Sequence, residues 1–350
     1  MVKYKQILRK KWLLARGGIN MSLVYLKSPS TDPAFNLALE QFVFDKMDRS
    51  KEYFMLWQNN NAVIVGKNQN TFGEVNPKVV EEKGVKVIRR LSGGGAVYHD
   101  LGNLNFTFIM DAKEASDLDI KLFCQPVASL LQELGADAQV NGRNDITIDG
   151  KKFSGNSQYL KEGRVMHHGT IMFNSDLDVV AAVLNVAGDK FQSKAAKSVK
   201  SRVTNVKPYL KADLTLEEFQ NQLVSYVFGK MPVETYSLTE KDIEEIEKIK
   251  VERYAQWDWN YGKSPEYTVQ KERRIDGCGK IEAHMNTKDG KIVEVKFYGD
   301  FFGVSDHGEL SKLLEGCELK REALERMLVN TEIEKYFHGI SVNQFIDILL

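Results

Sequence analysis

The sequence predicts an α+β protein built on a mixed or antiparallel sheet, with a smaller α+β unit behind it. Three observations predict this. Strand-sized apolar runs that neighbour one another along the chain outnumber clean strand–helix–strand repeats. No GxGxxG motif occurs, so a dinucleotide-binding parallel sheet has no support. The order of strand and helix signals resets beyond Trp257. A chain of 350 residues has room for two cores. Its 43% hydrophobic and 27% charged residues exclude wholesale disorder.

The elements follow in order. A short strand is expected over 23–26. Asp32 reads as an N-cap, with Pro33 at the first helical position, where its missing N–H costs nothing. Phe35, Leu39, Phe42, Val43 and Met47 give that helix one apolar face. Strands are expected over 53–57, 62–65, 85–88 and 105–110, each bounded by Gly, Asn or Pro. A second helix spans 117–134. Strands over 145–148, 152–159 and 165–173 come next, the last two a hairpin about Lys161-Glu162-Gly163. The stretch 190–207 carries six cations among Ser, Ala and Val and reads as a mobile surface segment. A boundary falls near Ser237, giving an extension over 1–20, a first unit over 21–237 and a second over 238–350. Thr239 and Asp242 form a capping pair for an acidic helix running to about Arg253. Strands over 279–285 and 292–298, joined at Lys288-Asp289-Gly290, and two helices over 309–314 and 321–329 complete the second unit.

Charge and cysteine content remove several classes of function. Lys and Arg number 48, as do Asp and Glu, which disfavours a strongly basic nucleic-acid binder. No run of about 18 apolar residues exists, so no transmembrane helix is indicated. Cys124, Cys278 and Cys317 form no CxxC pair, so neither a disulfide framework nor a cysteine-based zinc site has support. A reducing cytoplasm is the expected compartment. The first twenty residues hold six cations and no acid; without them 42 basic residues face 48 acidic ones, a net charge of −6. Two readings of this extension stay open: a mitochondrial transit peptide, and a stretch upstream of a start at Met21.

Four segments are built for chemistry. In Arg89-Arg90-Leu91-Ser92-Gly93-Gly94-Gly95-Ala96-Val97-Tyr98-His99-Asp100, three glycines bring main-chain N–H groups close to an anion, and Arg90 adds a planar cationic fork. The competing reading is a flexible turn, and the segment is not a P-loop. In Gly142-Arg143-Asn144-Asp145-Ile146, Asp145 is either a magnesium ligand or part of an Asn-Asp turn. In Lys151-Lys152-Phe153-Ser154-Gly155-Asn156-Ser157-Gln158, strand alternation puts Lys152 and Ser154 opposite Phe153. A ligand-facing lysine there needs an anion; the plainer reading is an exposed Lys-Lys pair. In His167-His168-Gly169-Thr170 the two imidazoles diverge to opposite faces, which disfavours a metal pair and leaves His168 a hydrogen-bonding or wall role.

Taken together, RRLSGGGAVYHD (89–100), GRNDI (142–146), KKFSGNSQ (151–158), HHGT (167–170), SVKSRVTNV (198–206) and WNYGKSP (259–265) resemble the lipoate–protein ligases, from about Met21 to the C-terminus. The resemblance implies a catalytic domain similar to biotin protein ligases and class II aminoacyl-tRNA synthetases, with a mostly antiparallel sheet, and a small accessory domain. It implies that lipoate and ATP give lipoyl-AMP and pyrophosphate, with Mg²⁺ assisting. The lipoyl group then passes to a lysine of 2-oxoacid dehydrogenase E2 lipoyl domains or the glycine-cleavage H protein. By the same resemblance Arg90 lies near the lipoyl-adenylate. Gly95, Ala96, Val97 and Tyr98 hold the nucleotide through the backbone, with Ser92, Gly93 and Gly94 beside them. Lys152 is the catalytic lysine, Asp145 lies near metal and phosphate, and His168 lies beside the lipoyl tail. Residues 190–207, with Lys194, Lys197, Ser201 and Arg202, close over the adenylate. A monomer is expected, with no tightly bound cofactor, no nucleic acid and no membrane partner. Two alternatives remain: an ATP-independent octanoyl or lipoyl amidotransferase of the same fold, acting through a cysteine such as Cys124, and a ligand-binding relative without chemistry.

Overall fold

The structure is a computed structural model that describes residues 23–69, 71–112, 119–141, 144–184, 202–261, 269–288 and 291–350. The basic extension over 1–20, Arg143, and Lys194, Lys197 and Ser201 lie outside the described residues.

The strands of the first unit are β1 (Leu23–Lys27), β2 (Glu52–Trp57), β3 (Ala62–Val65), β4 (Lys86–Arg89), β5 (Val97–His99), β6 (Asn103–Asp111), β7 (Ala138–Asn141), β8 (Asp145–Ile148), β9 (Lys151–Lys161), β10 (Arg164–Met172) and β11 (Glu234–Thr235). Eight of them form one sheet in the order β11-β1-β2-β6-β10-β9-β8-β7. β1 runs parallel to β2 and β11, and every other pair is antiparallel. This is the mixed sheet the sequence predicts. A small sheet, β4-β3-β5, lies beside it. The β9–β10 turn has Glu162 and Gly163 at φ of 51° and 73°, the paired left-handed geometry that suits a tight hairpin.

Alternation in β6 sets the two faces of the sheet. Leu104, Phe106, Phe108 and Met110 enter one core, shared with α2 (Ile120–Glu133) and α3 (Leu216–Phe228). Asn105, Thr107 and Ile109 face the other side, toward α1 (Pro33–Lys46). A buried face bearing Asn and Thr in mid-sheet marks where the cavity lies.

Helix α1 differs from its expected form. It is buried nearly all round, Glu40 included, rather than along one stripe. The sheet covers one side, and α4 (Glu240–Ile249) with the π-helical turn Lys250–Tyr254 covers the other. Asp32 does not cap α1 with its side chain. Its carboxylate instead meets Lys86 (2.9 Å) and Lys250 (3.6 Å). The expected boundary at Ser237 is also displaced. Ile246, Tyr254 and Trp259 pack into the α1 core, so residues 240–261 continue the first unit.

The second unit has a three-stranded antiparallel sheet, β12 (Val269–Ile275), β13 (Gly279–Lys288) and β14 (Lys291–Gly299). Three helices pack on it: α5 (His307–Leu314), α6 (Arg321–Leu328) and α7 (Val342–Leu349). The sequence reading misses β12 and α7. β12 reads VQKERRI, too charged to show a strand stripe. Among the described residues no helix is long and apolar enough to cross a membrane.

The two units touch at the glycine bend. Gly299 N donates to Asn68 O (2.5 Å). Phe301 O lies 2.8 Å from where a Cβ on Gly93 would sit. Nearby, Glu74 is largely buried, close to Asp300 and Glu282 of the second unit; burial first, and these carboxylates second, push its carboxyl up to about 7. A carboxyl whose folded value is raised gives stability that is complete below its unfolded value and lost as pH rises through about 7. Thermal unfolding is therefore expected at a lower midpoint near pH 8 than near pH 6, and Glu74→Gln should remove most of that difference.

Candidate active site

A row of residues crosses five strands on the α1 side of the sheet. Trp57 pairs with Asn105, and Asn105 with Thr170. Thr170 Oγ1 accepts from Gly155 N (3.1 Å), and Gly155 pairs with Asp145. This row floors a cavity whose other walls include Leu37 of α1, Ile64 of β3 and the bend Gly94-Gly95-Ala96-Val97. Lys152 and His168 also line it.

Lys152 reaches this face by an irregularity. Asp145 pairs with Gly155 and Ile146 with Ser154, but Thr147 pairs with Lys152. Phe153 is the extra residue of a β-bulge, and its ring enters the α2 core. The expected alternation is thus corrected: Lys152 shares its face with Gly155 and Asp145, and Ser154 does not line the cavity. Lys152 Nζ lies 2.7 Å from Asp145 Oδ1, and both side chains are a little over a third exposed. Thr204 N donates to Lys152 O (2.9 Å), and Val203 bridges to Lys152, which sets these residues beside the lysine. Arg202 there is exposed.

Arg90 is buried, and its fork is turned on its own loop. Nη2 donates to Gly93 O (2.6 Å) and Gly95 O (2.9 Å), Nη1 to Ile64 O (3.0 Å), and Nε to Ser92 Oγ (3.1 Å). Four of its five N–H groups thus meet acceptors on the bend and on β3, and the side chain also lines the cavity beside Gly94 and Gly95. Burial lowers the guanidinium to about 10, which keeps it charged at neutral pH. Ser157 Oγ donates to Gly93 O (2.8 Å) and ties the bend to β9. Gly94 has a left-handed φ of 89°, while a Cβ on Gly95 would meet nothing within 4 Å. Val97 lines the cavity, but the Tyr98 side chain turns away and donates to Asn61 Oδ1 (3.0 Å).

His168 and His167 diverge as expected. His167 stacks on Phe123, with ring centroids 4.6 Å apart, and burial holds it well below its ordinary pKa. His168 Nδ1 meets Glu40 Oε1 (3.1 Å), and Nε2 meets Ser92 Oγ (2.6 Å). Thr107 Oγ1 donates to the same Glu40 oxygen (2.5 Å) and accepts from Trp57 Nε1 (2.9 Å). Carboxylate, imidazole and hydroxyl stand in the order of a hydrolase triad. Ser92, however, is buried, bonded to Arg90, and not among the cavity-lining residues, so the chain of bonds fixes His168 and the bend.

Sequence reasoning missed Glu40, His99, Asn105 and Arg89. Arg89 is a clamp: its Nη1 donates to the carbonyls of Gly66, Lys67 and Gln69, and its Nε to Trp259 O. Asn260 Oδ1 accepts from Arg89 N (2.9 Å). The Trp-Asn pair of 259–260 therefore anchors the strand that leads into the bend. The one available signal for Glu40 was an acid next to Leu39, on a mostly apolar stretch of the helix.

Asp145 is the only carboxylate beside Lys152 among the described residues in ion-pair contact, and no group of three or more metal-ligating side chains occurs among them. One accessible carboxylate fits a magnesium ion that arrives with phosphates, since that ion keeps most of its shell in water and substrate oxygens.

Cations and main-chain donors, rather than a base poised for proton transfer, surround this cavity, which defines the unit as a group-transfer domain of the kind that brings anions together. Comparison with known proteins narrows the class. Residues 32–228 match the lipoyl protein ligase A/B catalytic domain, and 264–349 the bacterial lipoate protein ligase C-terminus. The chain is 44% identical to lipoate-protein ligase LplJ of Bacillus subtilis and 41% to lipoate–protein ligase 1 of Staphylococcus aureus, each match covering 91% of this chain and 97% of the relative. Among solved structures it resembles Plasmodium falciparum LipL1 in complex with lipoate (TM-score 0.75, 25% identity, 93% and 97% covered). It also resembles the bipartite ligase of Thermoplasma acidophilum, described with its E2 lipoyl domain (0.63, 28%, 71% and 100%), and a lipoate-protein ligase A bound with ATP (0.59, 25%, 70% and 99%). The chain belongs to the lipoate–protein ligase family.

Proposed function

We propose that this protein joins lipoate to ATP, forming lipoyl-AMP and pyrophosphate, and passes the lipoyl group to a lysine of an acceptor domain. The observation that carries the reading is the Lys152–Asp145 pair at one end of a cavity walled by the open side of the glycine bend. A lipoate carboxylate oxygen attacks the α-phosphorus, and the bond to the pyrophosphate oxygen breaks. Two anions must approach, and Lys152 can leave Asp145 to lie between them, stabilising charge as it moves onto the phosphate. Asp145, so released, would hold magnesium, which supplies Lewis-acid stabilisation of the phosphates. Arg90 acts at one remove, by holding Gly93 and Gly95 so that the bend presents its N–H groups. In the second step the neutral amine of the acceptor attacks the acyl carbon, AMP leaves, and the amine proton passes to solvent. Lys152 then faces the tetrahedral oxyanion. Residues 190–207, with Lys194, Lys197, Ser201 and Arg202, are assigned as the segment that shields the adenylate from water; within it, Thr204 N donates to Lys152 O.

Lipoyl domains of E2 subunits are the proposed acceptors, with the glycine-cleavage H protein as a second, a monomer as the working unit and the cytoplasm as its place. A cysteine-dependent amidotransferase fits poorly: Cys124 is fully buried in the α2 core, and burial pushes its thiol far up. The test mixes the protein with lipoate, Mg²⁺ and ATP and reads lipoyl-AMP by mass spectrometry, then adds an apo lipoyl domain. Absence of lipoyl-AMP, or transfer without nucleotide that is lost in Cys124→Ser, overturns the reading.

The bend gives a paired prediction. Gly94→Ala puts a Cβ at positive φ, 3.1 Å from Arg90 Nη2, and is expected to cost about 1–2 kcal/mol of stability. Gly95→Ala has room and should leave unfolding nearly unchanged while weakening ATP binding, measured by calorimetric titration.

A further inference from the structure

We propose that His99 and Asn105 read the far end of the acyl chain, and select a tail that carries sulfur over a methyl-terminated tail of the same length. The inference rests on the ligase reading above and deepens it.

Position comes first. With the carboxyl end at Lys152 on β9, the floor of the cavity runs across β10 to Asn105 on β6. Two strand spacings make that about 10 Å. Trp57 lies one strand further, and His99 stands against it, with ring centroids 6.2 Å apart. Both His99 and Asn105 line the cavity.

The proton on His99 is fixed by a chain of hydrogen bonds. Asn36 Nδ2 donates to the carbonyls of Ser30 (3.1 Å) and Gln58 (2.7 Å), which identifies it as the nitrogen. It donates also to Asn59 Oδ1 (2.9 Å). Asn59 Nδ2 is then the group that meets His99 Nδ1 (3.1 Å), so Nδ1 accepts and Nε2 carries the hydrogen. The ring stays neutral: burial first, then the nearby Arg90 and His168, lower it to about 3.

Both donors are buried without a partner in the protein. His99 is 2% exposed and Asn105 is 1% exposed. His99 Nε2 has no hydrogen-bond partner, and neither has Asn105 Nδ2, whose amide oxygen accepts from Asn103 (3.0 Å). Hydrogen-bond donors enclosed in this way are costly to leave unmet. A terminal methyl would leave them unmet and drive out any water that served them. A dithiolane sulfur is a weak acceptor and a polarizable partner for the Trp57 edge. The floor and wall would otherwise suit an alkyl tail, so these two N–H groups are what separates the two acids.

The test measures pyrophosphate release by the full chain with lipoate and with octanoate. Wild type is expected to favour lipoate in kcat/KM. In His99→Phe and in Asn105→Leu that ratio should fall about tenfold, through a higher KM for lipoate. His99→Gln keeps a side-chain N–H and should recover part of it. The ratio is read within one protein, so poor folding lowers both rates and leaves the ratio alone. Binding to the wild-type chain gives an independent reading: the Nε2 proton and nitrogen resonances of His99 should move on adding lipoate and stay in place on adding octanoate. An unchanged ratio in both variants, or equal resonance shifts with the two acids, overturns the proposal. No pyrophosphate from either acid overturns the ligase reading instead, and the resonance experiment still decides the role of His99.

Discussion

Lys152→Ala protein, mixed with lipoate, ATP and Mg²⁺, is expected to form lipoyl-AMP at least 10²-fold more slowly than wild type, about 3 kcal/mol of barrier by analogy with removal of one oxyanion donor. Its unfolding midpoint should hardly move. The Lys152–Asp145 pair is partly open to water, and exposed pairs of this kind contribute about 0–1 kcal/mol. Single-turnover formation of the adenylate, followed beside a thermal melt, separates the two quantities. Lys152→Arg should not restore the rate, because a broad planar group replaces a compact ammonium in the gap between two anions. Wild-type turnover in the alanine variant would refute the assignment. A loss of rate matched by a loss of fold would make Lys152 structural.

Arg90→Met is expected to fail in the opposite order, in stability first. The side chain is buried, and it satisfies Ile64 O, Gly93 O, Gly95 O and Ser92 Oγ at once. Removing it takes a donor from Ile64 O and Gly95 O, leaves Gly93 O to Ser157 alone, and lets the bend relax. The cost is on the order of 4 kcal/mol. Urea unfolding should show the change, and lipoyl-AMP formation should vanish with it. Arg90→Lys should recover little, since one ammonium does not span acceptors on both sides of the bend. If Arg90→Met kept full stability and lost only affinity for ligand, the fork would be a direct ligand contact, and the geometry described here would not be its working state.

The contrast shows where sequence reading stops. The glycine run, Lys152, Asp145 and His168 were legible because their residue types are unusual for their elements. The mixed sheet was legible from the succession of short strands, and β6 as one of the strand-sized apolar runs; which of its residues face the cavity came only from the packing. Arg90 was found, but sequence does not say that its buried fork also meets Ile64 O, Gly93 O, Gly95 O and Ser92 Oγ. Ser154 was put on the wrong face because one extra residue at Phe153 shifts the count. Glu40, His99 and Arg89 went unnoticed, since each takes its meaning from partners distant in the chain. α3 and α7 were overlooked although each opens with a capping box, Thr215 with Glu218 and Ser341 with Gln344. Residues 240–261 read as the start of a new unit because an acidic helix follows a break. Only the packing of Ile246 and Tyr254 shows which core they serve.

The extra residue in β9 has a consequence for anyone who would streamline this protein. Smoothing the bulge by adding one residue to β8, opposite Phe153, would give a neater ladder and a flatter ribbon. It would also bring the ring into the reaction chamber and turn the amine out, since one step along a ribbon exchanges its two sides. The blemish is what aims the reagent, and a designer who filled it in would gain order and lose the chemistry.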